Sequence, residues 1–183
     1  EGLPAIEEAI FAGVPVNVTL LFSREHYVAS AEAYLRGIER RLAAGLDPYV
    51  ASVASVFISR WDVAVAGKVP APLKDRLGIA IGQRTYKAYC DLVATPRYRR
   101  VLNEGGRPQR LLLASTGTKD PKSSDVLYVE ALRSRAALRA DMMRHGLGAA
   151  SHRQYLERDV EHHAEDTERS GEQPRHVVAG DVL

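Results

Sequence analysis

The sequence predicts an α/β protein with a parallel sheet covered by helices, either a doubly wound sheet or an α/β barrel. Apolar segments of strand length alternate with amphipathic segments of helix length along most of the chain. Strands that alternate with helices usually pair in parallel through right-handed crossovers. The strands are also nearly continuous in apolar residues, which is typical of parallel strands that are buried on both faces.

The first third of the chain supplies two predicted strands and two helices. A short helix over 4–12 precedes a strand over 14–22. Ser23 caps the long helix that follows, and Gly45 ends it. A second strand is predicted over about 50–59, because valine, isoleucine and phenylalanine are frequent there.

The middle of the chain supplies two more helices and a third strand. A loop rich in proline and glycine leads into a helix over 73–95, which Pro96 breaks. A further short helix is closed by Gly105, and the third strand follows at about 110–115. Another helix starts near Asp125. One long helix therefore joins the first strand to the second, and two helices join the second strand to the third.

Residues 132–183 differ in composition from residues 1–131. Lysine is absent after Lys122, and five of the six histidines lie in this last segment. Few of its residues could form a packed core, so we predict a poorly packed helical or disordered tail. Residues 1–131 are predicted to form the folded part.

Composition and charge are those of a soluble globular protein. The formal net charge of +2 is too small to indicate binding to nucleic acid or to a membrane surface. No apolar run reaches the roughly 18 residues that a membrane span needs. Cys90 is the single cysteine, so no internal disulfide can form, which fits a reducing compartment, most simply the cytoplasm.

Polar side chains gather toward the carboxyl ends of the three predicted strands, where α/β proteins bind their ligands. Asn17 and Thr19 interrupt the first strand and, by strand periodicity, share a face with Leu21. The other members of the set are Ser55, Arg60, Ser115 and Lys119. The cations suit a phosphate or carboxylate, and the neutral groups suit hydroxyls and a carbonyl. The set predicts a site for a sugar phosphate.

Each of these residues also has a structural interpretation. Thr19 is an ordinary strand former and Ser55 could simply pack in the core. Arg60 could belong to a surface ion pair, and Lys119 could lie in a solvated turn. Asn17 is harder to explain, because asparagine is depleted in strands and needs hydrogen-bond partners when buried. The repetition at three strand ends favours a functional site.

Around these residues the chain resembles the transaldolase family, in the branch common in bacteria. The similarity covers about residues 1–132. It lies in the segments GVPVNVTLLFSREHYVASAEAYLRGIE, VASVASVFISRWD, GQRTYKAYCDLV and PQRLLLASTGTKDPKSSDVLYVEAL. The resemblance implies a (β/α)8 TIM barrel, of which this chain supplies a part: about three parallel strands with the intervening helices.

The resemblance also implies a cofactor-free transferase of the pentose phosphate pathway. Such an enzyme moves a dihydroxyacetone unit between sugar phosphates through a lysine Schiff base. By resemblance, Asn17 holds substrate hydroxyls and Thr19 helps to position a water that shuttles protons. The residues that would shape the sugar and phosphate end are Ser55, Phe57, Arg60, Ser115 and Lys119. No metal is expected, and the full-length protein could form a homo-oligomer.

Two departures from the family stand out. None of the five lysines lies within a predicted strand, and in the family the Schiff-base lysine stands on the strand just before EGLPAIEEAI. We therefore expect a fragment that lacks this lysine and is inactive alone. After DVLYVEAL, the run RSRAALRADMMRHGLGAASHRQ replaces the family's last strand. Either a shifted reading frame or a divergent end would explain this run.

Other functions stay open at this point. The chain could be a non-catalytic or vestigial sugar-phosphate-binding protein, or a related aldolase that cleaves without transfer. The histidines of the tail raise a metal site, with His152 and the EHHAED segment as its candidates. However, the adjacent His162 and His163 would point apart on a helix, which is poor ligand geometry. Cys90, on a predicted helix, is expected in the core.

Overall fold

Parallel strands form the centre of the computed structural model, which describes residues 2–120, 122–133 and 176–177. These residues belong to one compact unit. The strands are β1 (Val16–Leu21), β2 (Ser52–Phe57), β3 (Arg110–Ala114) and the two-residue β4 (His176–Val177). The helices are α1 (Gly2–Phe11), α2 (Arg24–Ala43), α3 (Ser59–Ala64), α4 (Leu77–Val93), α5 (Pro96–Asn103) and α6 (Leu127–Arg133), with a 3-10 turn at Ala71–Leu73.

The sheet has the strand order β3-β2-β1-β4, and every pairing is parallel. Val18 of β1 is in register with Ala54 of β2, which is in register with Leu111 of β3. Helices connect β1 to β2 and β2 to β3, so the α/β class and the three predicted parallel strands are confirmed. The arrangement is consistent with part of a TIM-barrel-type fold.

The core lies between the sheet and α1 and α2. The sheet contributes alternate residues of β1 and β2, and the helices contribute apolar stripes. The core includes Ile6, Ile10, Val16, Val18, Ala31, Tyr34, Leu35, Ile38, Ala54 and Val56. Full burial of one large aliphatic side chain contributes about 1.5–3 kcal/mol. α1 and α2 meet at Gly37, where an added Cβ would lie 2.7 Å from Cγ2 of Ile10. The absence of a side chain at Gly37 therefore permits the close approach of the two helices.

The second strand ends earlier than predicted. The sequence suggests a strand to residue 59, but β2 stops at Phe57 and α3 begins at Ser59. Ile58 between them adopts helical backbone angles, with φ −98° and ψ −61°. Helix α3 was therefore missed, because the apolar run continues through the strand end and hides the change of conformation.

Pro96 acts at two helices. Its predicted role as a breaker fits the end of α4 at Val93, and Pro96 is also the first residue of α5. Thr95 caps α5, since its hydroxyl accepts a hydrogen bond from the Tyr98 amide at 3.3 Å. Proline is favoured at the first helical position because its missing N–H is not needed there.

The predicted tail is only partly covered by the described residues. β4 lies in it and pairs with the edge of β1, with the backbone of His176 in register with Asn17. Residues 134–175 and 178–183 lie outside the described part, so the boundary at residue 132 stays a prediction. Among the helices of the described residues, none combines the length and the hydropathy that a membrane span requires.

Candidate functional site

The carboxyl ends of β1, β2 and β3 meet at one edge of the sheet. Backbone hydrogen bonds continue past the strands there: the amide of Ile58 donates to the carbonyl of Ala114 at 3.0 Å, and that of Ser59 donates to the carbonyl of Ser115 at 3.1 Å. The chain after β2 is thus tied to the chain after β3. This edge is where ligand sites of α/β proteins are built.

Asn17 and Ser55 are in direct contact across β1 and β2. The Ser55 hydroxyl donates a hydrogen bond of 2.8 Å to Oδ1 of Asn17. Ser55 is only 3% exposed, whereas Leu112, its register partner on β3, is 48% exposed. Within the described part of the chain, no acceptor takes the hydrogens of the Asn17 amide. The amide can therefore donate to a ligand hydroxyl or carbonyl.

A β-bulge reshapes β1 beside this pair. Between Val18 and Leu21 the register shifts, because three steps along β1 match the two steps from Ala54 to Val56 on β2. Leu20 has a φ of +59°, which is rare for a residue with a branched side chain. A bulge inserts one residue and re-aims the side chains around it.

The bulge corrects one expectation drawn from the sequence. Strand periodicity placed Leu21 on the same face as Asn17 and Thr19. Leu21 is instead in register with Val56 and is 7% exposed, on the buried helix-covered face. Thr19 lies at the start of the bulge and is half-buried. The sequence carries no local pattern that announces this insertion.

Phe57 and Arg60 form a second pair at the same edge. The guanidinium carbon of Arg60 lies 5.2 Å from the centre of the Phe57 ring, which is a cation–π distance. The ring of Phe22, just past β1, lies 5.8 Å from that of Phe57. Arg60 is exposed, so its guanidinium is available to an anion while it lies over the Phe57 ring.

Ser115 and Lys119 follow β3, and only Ser115 is tied to the other strands. The hydroxyls of Ser115 and Ser59 share a hydrogen bond of 3.1 Å. Ser115 has a φ of +53°, the second left-handed residue at this edge. Lys119 is exposed in the loop beyond Gly117. In the described residues, neither Lys119 nor Thr19 makes a hydrogen bond to another member of the candidate set.

Polar contacts hold the loop that carries Lys119. Asp120 pairs with Lys74, and the Ser123 hydroxyl donates to the Asp75 carboxylate at 2.7 Å. The hydrogen bond from Lys74 lowers the pKa of Asp120, and the same bond raises the pKa of Lys74. The loop after β3 is thus fastened to the segment that precedes α4.

Two further residues at this edge were not found from the sequence. Ser59 is buried and bonds to Ser115, and the Trp61 indole N–H donates to the Phe22 carbonyl at 2.6 Å. A serine followed three residues later by an acid, as in Ser59 to Asp62, is a helix-start pattern that could have revealed α3. The partners of these side chains are distant in sequence and have no local pattern.

A metal site finds no support among the described residues, which contain no group of three or more histidine, cysteine, aspartate or glutamate side chains that could hold an ion. The histidines named for the metal alternative, His152, His162 and His163, lie outside the described residues. Their metal binding stays a prediction.

Comparison with known proteins gives consistent relatives. Residues 1–139 match the family model described as Transaldolase/Fructose-6-phosphate aldolase. The chain is 42% identical over 148 residues to Transaldolase 2 of Nostoc sp., covering 72% of this chain and 39% of that protein. It is 44% identical over 138 residues to Transaldolase of Saccharopolyspora erythraea and 45% identical over 139 residues to Transaldolase of Parafrankia sp., covering 72% of this chain and 38% of each. The chain therefore spans under two fifths of the length of these relatives.

Proposed function

Because the chain belongs to the transaldolase/fructose-6-phosphate aldolase family, we propose that it forms the sugar-phosphate-binding part of a transaldolase. The reaction would move a dihydroxyacetone unit between sugar phosphates, as in the pentose phosphate pathway. The observation that carries the proposal is the hydrogen bond between Ser55 and Asn17 on neighbouring strands at the carboxyl edge. The bond holds the Asn17 amide at the same edge of the sheet that carries Arg60.

The proposed roles follow from the chemistry of each group. The Asn17 amide and the Ser55 hydroxyl would contact the hydroxyls or carbonyl of the sugar. The guanidinium of Arg60 would bind the phosphate, which it can engage with two parallel hydrogen bonds. Lys119 would add positive charge at the phosphate end of the site, and Phe57 would form a wall under the sugar. Together these residues would bind a polyhydroxylated anion.

Two more roles belong to the same site. Ser115 would contribute its hydroxyl at the phosphate end, close to Arg60 through Ser59. Thr19 would position a water that carries protons between the substrate and its acid or base partner. Its place at the bulge supports this role, because bulges re-aim side chains next to active sites.

The proposed chemistry is a lysine Schiff base. A lysine amine adds to the ketose carbonyl and water leaves, which forms an imine. The neighbouring carbon–carbon bond then breaks, its electron pair moves toward the imine nitrogen, and an aldose phosphate leaves. The retained carbon nucleophile attacks the aldehyde of the acceptor, and hydrolysis of the new imine releases the product. No metal or organic cofactor is needed for these steps.

We further propose that no lysine within residues 1–183 performs this step. None of the five lysines lies in a described strand; they are Lys68, Lys74, Lys87, Lys119 and Lys122. A Schiff-base lysine needs a lowered pKa to be unprotonated. Lys74 has the opposite shift, because its hydrogen bond to Asp120 raises its pKa. The finer proposal is a fragment that binds substrate and has no nucleophile.

A trapping experiment tests the chemical part of this proposal. The chain is incubated with fructose 6-phosphate and sodium borohydride, which reduces an imine to a stable secondary amine. Intact mass spectrometry is expected to show no adduct. A covalent adduct on one of the five lysines would overturn the assignment and would identify the nucleophile by peptide mapping.

A titration tests the binding part. Calorimetric titration of the chain with fructose 6-phosphate is expected to show binding, and Asn17→Ala is expected to raise the Kd by roughly tenfold, which is the effect of about one net hydrogen bond. Asn103→Ala, at an exposed asparagine that ends α5, is the matched control. Equal affinities of all three proteins, or no binding by the unaltered chain, would contradict the proposed site.

The alternative of a non-catalytic or vestigial sugar-phosphate-binding protein keeps the same site. It is favoured by the absence of lysine from the described strands. Binding in the titration together with no turnover of fructose 6-phosphate and erythrose 4-phosphate would support this alternative. Release of glyceraldehyde 3-phosphate without an acceptor would instead indicate an aldolase. Cytoplasmic location, inferred from the single cysteine, and a homo-oligomer of the full-length protein stay predictions.

A further inference from the structure

Four consecutive residues at the start of α3 connect the candidate site to the rest of the fold. They are Ser59, Arg60, Trp61 and Asp62, which we call the SRWD turn. Three of the four side chains are fixed by hydrogen bonds to other elements. Only Arg60 is left exposed, with its guanidinium over the Phe57 ring.

The first two connections tie the turn to the neighbouring strands. Ser59 is 1% exposed and holds Ser115 after β3 through both its hydroxyl and its amide. The Trp61 indole N–H donates to the carbonyl of Phe22 after β1, at 2.6 Å. The residues on either side of Arg60 are therefore anchored to the strand ends that flank β2.

The third connection ties the turn to α4 and α6. The Asp62 carboxylate is buried and accepts three hydrogen bonds: the amides of Leu77 and Gly78 donate at 3.0 Å each, and the Tyr128 hydroxyl donates at 2.8 Å. A carboxylate at the first amides of a helix is favourable because these amides lack partners within the helix. Arg76, which precedes α4, makes no side-chain cap of its own.

Gly78 shows how closely α4 approaches the turn. An added Cβ at Gly78 would lie 2.7 Å from Oδ2 of Asp62 and 2.7 Å from the carbonyl oxygen of Ile58. No larger residue fits there without moving the backbone. The backbone of α4 at Gly78 therefore packs directly against Asp62 and Ile58, which leaves little room for the start of α3 to shift.

We propose that Trp61 and Asp62 are positioning residues that hold Arg60 in place for the phosphate of the sugar phosphate. This inference rests on the proposed function, in which Arg60 binds that phosphate. An arginine side chain loses conformational entropy when it binds a ligand. If its backbone is already fixed, no further entropy is lost in ordering that backbone. Removal of either connection leaves the guanidinium chemically unchanged but frees the backbone that carries it.

The test is a double-mutant cycle read by calorimetric titration with fructose 6-phosphate. Trp61→Phe removes the indole N–H and keeps an aromatic ring. We expect it to raise the Kd roughly three- to tenfold. In the background of Arg60→Ala, Trp61→Phe is expected to change the Kd no further, because a positioning residue acts through Arg60.

Controls separate positioning from general loss of stability. Tyr34→Phe removes a buried hydroxyl that bonds to the carbonyls of Val50 and Arg107 at the opposite edge of the sheet. It is expected to lower stability and leave the Kd unchanged. Asp62→Asn is the second variant of the turn and is expected to raise the Kd as Trp61→Phe does, also only when Arg60 is present.

The outcomes distinguish the two proposals. If Arg60→Ala leaves the Kd unchanged, the phosphate role of Arg60 fails and the inference falls with it. If Arg60→Ala weakens binding but Trp61→Phe and Asp62→Asn do not, the inference alone is overturned. If Trp61→Phe weakens binding equally with and without Arg60, its effect does not pass through Arg60 and the inference is again overturned.

Discussion

At the amino-terminal edge of the sheet, polar side chains are buried, whereas at the carboxyl edge several of them face solvent. The Tyr34 hydroxyl bonds to the carbonyls of Val50 and Arg107, and the Tyr98 hydroxyl accepts from the amide of Gln109. The side-chain nitrogen Nε2 of Gln109 donates to the Ser52 hydroxyl at 3.0 Å. Burial raises the pKa of Tyr98 well above its usual value of 10.0.

The carboxyl edge is built with the same kinds of groups and a different balance. Asn17 accepts one hydrogen bond from Ser55, and within the described part of the chain no acceptor takes its amide hydrogens. Arg60 and Lys119 are exposed, and Leu20 and Ser115 have left-handed backbone angles there. Backbone strain of this kind is concentrated at active sites and ligand sites. The amino-terminal edge therefore stabilises the fold through buried groups, and the carboxyl edge exposes the groups that we propose bind the ligand.

The largest expected effect is at the amino-terminal edge. Tyr34→Ala removes a fully buried aromatic side chain, so we expect a loss of about 3–5 kcal/mol in the free energy of unfolding. Tyr49→Ala, at a tyrosine that is 47% exposed, is the matched control and should cost about 1 kcal/mol or less, including its contact with Arg107. Urea denaturation of both variants measures the difference. Similar losses would break the distinction between buried and exposed tyrosines.

Substitutions at the two edges should also have different effects: those at the amino-terminal edge should lower stability, and those at the carboxyl edge should weaken binding. Tyr98→Phe leaves the buried amide of Gln109 without an acceptor and should cost about 1–3 kcal/mol, with no change in affinity for fructose 6-phosphate. Arg60→Ala should change the free energy of unfolding by about 0.5 kcal/mol or less and weaken binding by roughly tenfold or more. Arg99→Ala, at an exposed arginine of α5, serves as the control for lost charge. The comparison fails if each variant changes both quantities.

A smaller effect is expected at Ser115, a residue of the candidate site whose backbone is left-handed. Glycine has no penalty at a φ of +53°, whereas alanine does. Ser115→Gly should therefore be more stable than Ser115→Ala by about 1 kcal/mol, although both lose the hydroxyl that contacts Ser59. Thermal and urea unfolding measure this difference. Equal stabilities would show that the backbone at this position is relaxed.

The smallest effect concerns the helix layer, where burial raises the pKa of the Cys90 thiol to about 11 from an ordinary 9.0. At pH 8 the folded protein should react with iodoacetamide roughly tenfold or more slowly than the chain in concentrated urea. Between pH 9 and 11 the unfolded chain loses this proton while the folded chain keeps it, so stability should fall as pH rises through that window. Rapid labelling of the folded chain at pH 8 would show that this layer opens readily.

Periodicity and turn residues predicted most of the fold. Ser23 marks the start of α2 as predicted, and the apolar runs predicted each end of β1, β2 and β3 to within two residues. Local patterns failed where a backbone change lies inside an apolar run: α3 after Phe57 and the bulge at Leu20. Propensity describes single residues, whereas a bulge is fixed by pairing with a neighbouring strand.

The candidate site was predicted by residue type more fully than by contact. Asn17, Ser55 and Arg60 were chosen from their positions near strand ends and Phe57 from the family resemblance. The structure brings these four residues together in two pairs. The supporting contacts were missed, because Trp61 reaches a partner 39 residues away and Asp62 one 66 residues away. Such partners are set by the tertiary fold, and no short pattern encodes them.

The connection from Asp62 to Tyr128 has a consequence for the order in which the chain matures during synthesis. The bond from Trp61 to Phe22 can form once α3 has left the ribosome, but Ser59 waits for Ser115, and Asp62 waits for α4 and then Tyr128. At about 5–20 residues per second, these later partners follow Asp62 within seconds. Arg60 therefore emerges early and is fixed late, and a nascent chain that stops before α6 would bear the arginine on a turn that is not yet held.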